Sequence, residues 1–293
     1  MNFSNNTRGI VCMLLASVFF ALMTVFTKLL AGMPVAEIIF FRAVIAAVLC
    51  LLGIWRLRLS PWGHDKPALL LRGLAGMMAL AQGFWLLQHI PLGAATTLTH
   101  LSPIFTTLLG VWLVRERVTF LQIGYFLICF AGVVMIQGFD QRISMLHLLI
   151  GISASFCMGL AYSSVRKLSK TEHPLVIMFY FPLVCIPLAG FTLLFDFAMP
   201  SGLQWWWLLL LGITAQCGQY FMTRSYQLAA ISKVAIVSYS EVIFSIMLGF
   251  VLFGENFNLL SYTGMALVLV GVVMNVLSKN RQDQERGQEA AVS

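Results

Sequence analysis

The sequence predicts an all-α membrane protein whose ten transmembrane helices form two inverted repeats of five, and three observations carry that prediction. The chain is 293 residues long, 60% hydrophobic and only 10% charged, whereas about a quarter of a soluble domain is charged. It divides into apolar segments of the about 20 residues that a bilayer-spanning helix needs. It also matches itself at a shift of 139 positions.

In chain order, the first five spans are expected at about 9–30, 35–55, 68–88, 92–113 and 119–137. The second five are expected at about 146–167, 175–195, 203–225, 232–253 and 258–278. These group as a first repeat over 9–137 and a second over 146–278. Turn chemistry marks the joints: Gly32-Met33-Pro34, Ile90-Pro91-Leu92-Gly93, His173-Pro174 and Pro200-Ser201-Gly202 each disfavour continuation of a helix. Arg8 leads straight into a full-length span without a small-residue cleavage site, so that span is expected to stay as an anchor, with no secretory processing. Residues 279–293 are polar and uncapped, and are expected to be a disordered cytoplasmic tail.

Orientation follows from Lys and Arg, which concentrate in cytoplasmic loops. With the amino terminus inside, fifteen of the 18 basic residues fall on inner segments or adjacent helix ends. Lys28 and Arg142 fall outside, and Arg42 lies within the second span. Both termini are therefore expected in the cytoplasm, with the chain in the cell (inner) membrane. The net charge of +7 is a topology signal spread over inner loops, not a nucleic-acid footprint. All six cysteines sit in apolar runs and none pairs with histidines at zinc spacing, so they read as packing residues, and neither a metal nor a cofactor is expected.

The 139-residue shift lays Gly110-Val-Trp-Leu-Val-Arg-Glu116 over Gly249-Phe-Val-Leu-Phe-Gly-Glu255, and Gly132-Val-Val-Met135 over Gly271-Val-Val-Met274. Eight of 27 positions are identical from Gly110 and Gly249 onward. Five is odd, so the second repeat enters the membrane from the opposite side, the architecture that lets a site at the interface open to either face. At a shift of 138, Ser17, Ala21, Thr24 and Lys28 recur as Ser155, Gly159, Tyr162 and Arg166, each set on one helical face. Inversion puts Lys28 at the outer mouth and Arg166 at the inner one. They either snorkel to headgroups or act as opposite gates.

Arg72-Gly73 at the start of the third span, Ala94-Ala95-Thr96 and Ser102-Pro103-Ile104-Phe105 in the fourth, and Glu116 after it resemble the drug/metabolite transporter superfamily, in its EamA-domain branch. The resemblance runs from about Gly9 to Leu277, as two EamA repeats. It implies a carrier for small metabolites, in many members an exporter of amino acids or related compounds. The cavity it implies lies between the halves, lined mainly by spans one, three, four, six, eight and nine.

Helical spacing independently picks out polar stripes. The third span carries Met78, Gln82, Trp85 and His89; the eighth Gln216, Gln219, Tyr220 and Thr223; the fourth Thr96, His100, Pro103 and Thr107; the ninth Ser238, Glu241 and Ser245. His100 and Tyr239 are repeat equivalents, as are Ser102 and Glu241. The amides and hydroxyls serve either the path or interhelical hydrogen bonds, and Trp85 either the path or the bundle core. Glu241 is costly in hydrocarbon and sits roughly 13 Å from the inner boundary at about 1.5 Å per residue. It either exchanges a proton against the substrate, holds a substrate's amino group, or pairs structurally with His100 or a basic group. Arg42 either anchors a substrate carboxylate or pairs structurally at the outer mouth. Glycines 124, 132, 264 and 271 predict close packing of spans five and ten.

Two functions compete. One is a secondary carrier exporting a small amphipathic metabolite by alternating access, with a proton as coupling ion. The other is a membrane receptor or regulatory subunit that binds the metabolite without moving it. An enzyme lacks support: there is no His-Glu-x-x-His, Gly-x-Ser-x-Gly or phosphate loop. The expected partners are a small-molecule substrate and the lipid bilayer, with no nucleic acid, and the chain is expected as a monomer or homodimer.

Overall fold

The computed structural model of the protein describes residues 5–102, 104–105, 108–109, 120–168, 171–195, 197–228 and 237–292. Among them every long regular element is a helix. The first five are α1 (Asn5–Leu29), α2 (Val35–Arg56), α3 (Lys66–His89), α4 (Leu92–Thr99) and α5 (Phe120–Phe139). The next five are α6 (Met145–Leu168), α7 (Pro174–Leu193), α8 (Gln204–Leu228), α9 (Ser240–Phe253) and α10 (Leu259–Val292). Five described stretches are long and apolar enough to cross a membrane, in α1, α2, α3, α6 and α7; shorter apolar stretches lie in α5, α9 and α10.

Helix ends follow the local chemistry. Asp65 caps α3 by accepting from the Ala68 N–H at 3.2 Å, with Pro67 in the first turn. Pro174 opens α7 with its φ already set for a helix. Gly254, at φ 62°, closes α9 in the left-handed conformation that glycine adopts without a Cβ penalty. At the far end, α10 runs on to Val292, so residues 279–292 have helical backbone. Gln, Glu, Arg and Ala, which dominate that stretch, are all good helix formers.

Packing joins helices from opposite ends of the sequence. α1 lies against α8 and α9, α3 against α6 and α7, α2 against α7 and α8, α4 against α6 and α9, and α5 against α10. One apolar core runs through the bundle, with Leu30, Ile38, Phe84, Leu92, Leu98, Leu211 and Tyr239 among its buried members. The α5–α10 contact is backbone-close: a Cβ at Gly132 would lie 2.6 Å from the Gly264 carbonyl oxygen, and one at Gly271 2.6 Å from Cys129 Sγ. Gly124 behaves differently, because nothing lies within 4 Å of its added Cβ. That glycine shares the spacing of the others but points away from the contact.

The bundle has two tied ends. At one, Lys28 donates to Glu255, whose second oxygen accepts from Leu92 N–H at 2.8 Å, while Arg142 donates to Asn256 O at 2.8 Å and Glu37 accepts from Ala198 N–H at 3.2 Å. At the other, Glu172 accepts from the His64 and Asp65 N–H groups, Lys167 pairs with Asp65 at 2.8 Å, and Tyr180 donates to Trp62 O at 2.6 Å. Lys28 and Arg142 are thus held at one end and Lys167 at the other.

Candidate functional site

The polar centre of the bundle forms where two helices stop. α4 ends at Thr99 and the chain turns at His100 and Leu101, while α9 begins at Ser240 after a turn at Tyr239. The two turns, 139 positions apart in the sequence, face each other, with the His100 and Tyr239 rings 5.6 Å apart and inclined at 61°. Neither break is evident from the sequence, where Thr96 with His100 and Ser238 with Glu241 keep helical spacing through the turns. Pro103 lies outside the described residues.

A broken helix leaves carbonyls without their usual N–H partners. Here a serine from the first helix of the opposite half caps each one: Ser155 donates to Leu98 O at 2.5 Å, and Ser17 to Ser238 O at 3.4 Å. Ser17 and Ser155 are themselves repeat equivalents. A Cβ at Gly151 would sit 2.9 Å from Leu98 Cβ, so this glycine is what lets α6 approach α4 closely.

Glu241 stands in the first turn of α9, where the helix dipole favours a carboxylate. Its Oε2 lies 3.6 Å from His100 Nε2. The other ring nitrogen, Nδ1, lies 2.9 Å from Thr96 O. A carbonyl only accepts, so Nδ1 carries a hydrogen. In neutral His100, Nε2 is then an acceptor facing an acceptor, and the contact becomes attractive only when a proton sits on Glu241 or on Nε2. The side chains are 17% and 15% exposed, so the pair is sheltered without being sealed.

The other predicted residues scatter around this centre. Gln82 on α3 has a buried Oε1 without a hydrogen-bond partner. Trp85, one turn on, packs against the core and stacks on His89 at 4.0 Å, with His147 of α6 at 5.5 Å. Gln216 turns toward α2, where its Nε2 lies 3.7 Å from Cys50 Sγ. Gln219 is partly buried beside it on α8, while Tyr220 and Tyr162 are exposed. Arg42 is buried against Phe84 and Phe181.

Lys28 bridges the halves through Glu255, and its Nζ lies 5.4 Å from the Phe253 ring centroid. A side chain at Gly249 would strike the Glu255 carboxylate, so the glycine makes room for Glu255 to fold back to Lys28. The side chain of Arg166 lies outside the described residues, as does Glu116. Sequence reasoning puts Lys28 at the outer mouth and Glu255 in the repeat match but does not pair them. It gives Arg72 no partner, whereas the structure lays it against Phe181.

Comparison with known proteins agrees with this architecture. The model of the EamA-like transporter family matches residues 7–138 and again 145–277. A curated relative from Pseudomonas aeruginosa strain UCBPP-PA14, named pseudopaline exporter CntI, is 32% identical over 269 residues, covering 90% of this chain and 94% of its own. The riboflavin transporter of Vibrio cholerae serotype O1 is 27% identical over 260 residues, covering 84% of this chain and 85% of its own. A solved crystal structure shares the fold with a TM-score of 0.64 at 19% identity, over 95% of this chain and 98% of that one.

Proposed function

The chain belongs to the EamA-like transporter family, a family of multi-pass membrane carriers for small molecules and not of enzymes, and from that premise we propose a proton-coupled exporter. It has ten spans in two inverted halves and moves a small amphipathic metabolite, an amino acid or related compound, by alternating access. The observation that carries this reading is the meeting of the two helix breaks at His100 and Tyr239, with one ionisable pair, His100 and Glu241, between the halves. Discontinuous helices facing each other near the bilayer midplane are where carriers with inverted repeats hold their cargo.

The helix contacts support the two-fold plan. Exchanging the halves carries α1–α8 onto α6–α3, α1–α9 onto α6–α4, and α2–α8 onto α7–α3, and it leaves α2–α7, α4–α9 and α5–α10 in place. Both helix-capping serines obey the same exchange. Lys28 with Glu255 is read as the outer gate, closed in this conformation, and Arg166, its repeat counterpart, as the gate of the inner mouth. Export is the direction in the name of the Pseudomonas relative, and it is proposed here for this chain.

The pair explains coupling in physical terms. With a proton on Glu241 or on Nε2, the His100 contact holds and the two breaks stay together. Without it, acceptor faces acceptor, and Glu241 is free to bind a cargo amino group. Proton and cargo thus compete for one carboxylate. The test is flux in proteoliposomes across an imposed pH gradient, using a panel of radiolabelled amino acids and related metabolites. Gradient-driven accumulation of a panel member is the expected result. Binding without flux for every member overturns the carrier in favour of a receptor.

A further inference from the structure

Resting on the carrier reading, a second feature bears on what the cargo is. Arg42 on α2 and Arg72 on α3 converge on one ring of α7: their guanidinium carbons lie 5.2 Å and 5.6 Å from the Phe181 centroid. Arg42 also lies 5.8 Å from the centroid of Phe84 and is only 7% exposed. Its Nε and Nη1 have no hydrogen-bond partner, and neither has Nε of Arg72. Among the described residues, no carboxylate forms an ion pair with either arginine.

This treatment differs from that of the other buried charges. Lys28 has Glu255, and Glu172 has two backbone N–H donors. An aromatic face stabilises a guanidinium, but it supplies no acceptor, and buried donors without acceptors are costly. Two such cations within electrostatic reach of one another add repulsion. The arrangement is nonetheless built into the backbone. A Cβ at Gly76 would lie 2.6 Å from Arg72 Nη1 and 3.3 Å from Phe181, so glycine at that position makes the space in which the guanidinium rests. Tyr162, a predicted path residue of α6, lies within electrostatic reach of Arg72. A topological anchor needs only charge, which lysine supplies; the guanidinium offers a planar fork that matches a carboxylate.

We propose that Arg42 and Arg72 form an anion subsite of the transport path and that the cargo is a metabolite bearing two or more carboxylates. Each arginine takes one carboxylate, and the unpartnered Gln82 Oε1 accepts from a cargo N–H or O–H. The amino group of the same cargo then goes to Glu241. A monocarboxylate leaves one guanidinium unanswered.

The test is thermal unfolding of the purified full chain in detergent with succinate, citrate, acetate, succinamide or sodium chloride at matched ionic strength. Succinate and citrate should raise the melting temperature saturably, acetate far less, and succinamide and chloride not at all. Arg42→Lys keeps the charge and loses the fork, and Gly76→Ala intrudes on Arg72. Each should weaken the apparent succinate affinity by about tenfold or more in protein that still folds, and so should Arg42→Gln and Arg72→Gln where they fold. Equal stabilisation by acetate and chloride, or succinate affinity unchanged in Arg42→Lys and Gly76→Ala, overturns the subsite. Failure of the carrier reading is distinguishable, because it leaves succinate binding intact without flux in proteoliposomes. Failure of the subsite alone leaves flux of a neutral or cationic metabolite without succinate binding.

Discussion

His100 Nε2 stands 3.6 Å from Glu241 Oε2 while His100 Nδ1 points to the Thr96 carbonyl, so the facing pair is one proton short of an attractive contact whenever both are neutral and deprotonated respectively. Glu241→Gln cannot release a proton, but its amide can still donate to Nε2. It is expected to lower gradient-driven flux on the order of tenfold, about 1.4 kcal/mol of coupling, and to weaken exchange of cargo for cargo as well, because the cargo amino group loses its carboxylate. His100→Gln in the same background should add little, because both changes remove one shared proton. Gradient-driven flux and counterflow, measured side by side in proteoliposomes, check this. Unchanged gradient dependence in Glu241→Gln refutes it.

Lys28 and Glu255 tie α1 to the turn between α9 and α10. Glu255 is 6% exposed and its second oxygen is bound to the Leu92 N–H, so Lys28→Met leaves a buried carboxylate short of its cation. The expected cost is on the order of 2 kcal/mol, less than the ~3–5 kcal/mol of a fully buried pair, because Lys28 keeps 19% exposure. Lys28→Met with Glu255→Gln should recover part of that loss. Melting temperatures in detergent for the two single variants and the double variant give the coupling, and strict additivity would show that the pair contributes nothing.

How much of this is legible in the sequence depends on what physics sets each feature. Helix positions are legible because the bilayer fixes their length: the second is expected at 35–55 and runs Val35–Arg56, and the seventh is expected at 175–195 and runs Pro174–Leu193. The turns at His100 and Tyr239 are not, since polar residues at helical spacing, such as Thr96 with His100 and Ser238 with Glu241, fit an unbroken helix equally well. Polar spacing does place Glu241 and His100 in one centre, because both are costly in hydrocarbon and each needs a partner. Pairings across the bundle, such as Lys28 with Glu255 or Arg72 on Phe181, depend on tertiary approach, and the signal that existed lay in the glycines 249 and 76 that make room for them. Glycine spacing alone misleads at Gly124, which faces nothing.

That contrast gives a prediction for the α5–α10 contact. Gly132→Leu would drive a side chain into the Gly264 carbonyl and Val268, whose atoms are 2.6–2.9 Å from an added Cβ. Backbone there cannot yield as a flexible side chain would, so a loss of about 1–3 kcal/mol or more is expected. Gly124→Ala meets open space and should be neutral or slightly stabilising, by a few tenths up to about 1 kcal/mol, from helix propensity. Expression level and melting temperature in detergent distinguish the two, and equal effects would remove α5–α10 packing as the cause.

At the opposite end of the bundle, Glu172 links the α6–α7 turn to the turn before α3. Burial works against its carboxylate, but the N–H groups of Asp65 and His64 and the His64 ring outweigh it and hold the group below the usual carboxylate range. A carboxyl whose pKa is depressed by folding stabilises the fold above its unfolded value, about 4.3, and loses that contribution as pH falls through the lower folded value. Glu172→Gln keeps the shape but weakens the acceptor. The wild-type chain should therefore melt above this variant at pH 7, by an amount nearly constant down to about pH 5 and shrinking below it. Melting curves of both proteins between pH 7 and pH 4 measure the difference. A gap that widens between pH 5 and pH 4 would mean that Glu172 is protonated in the folded chain and donates instead of accepting.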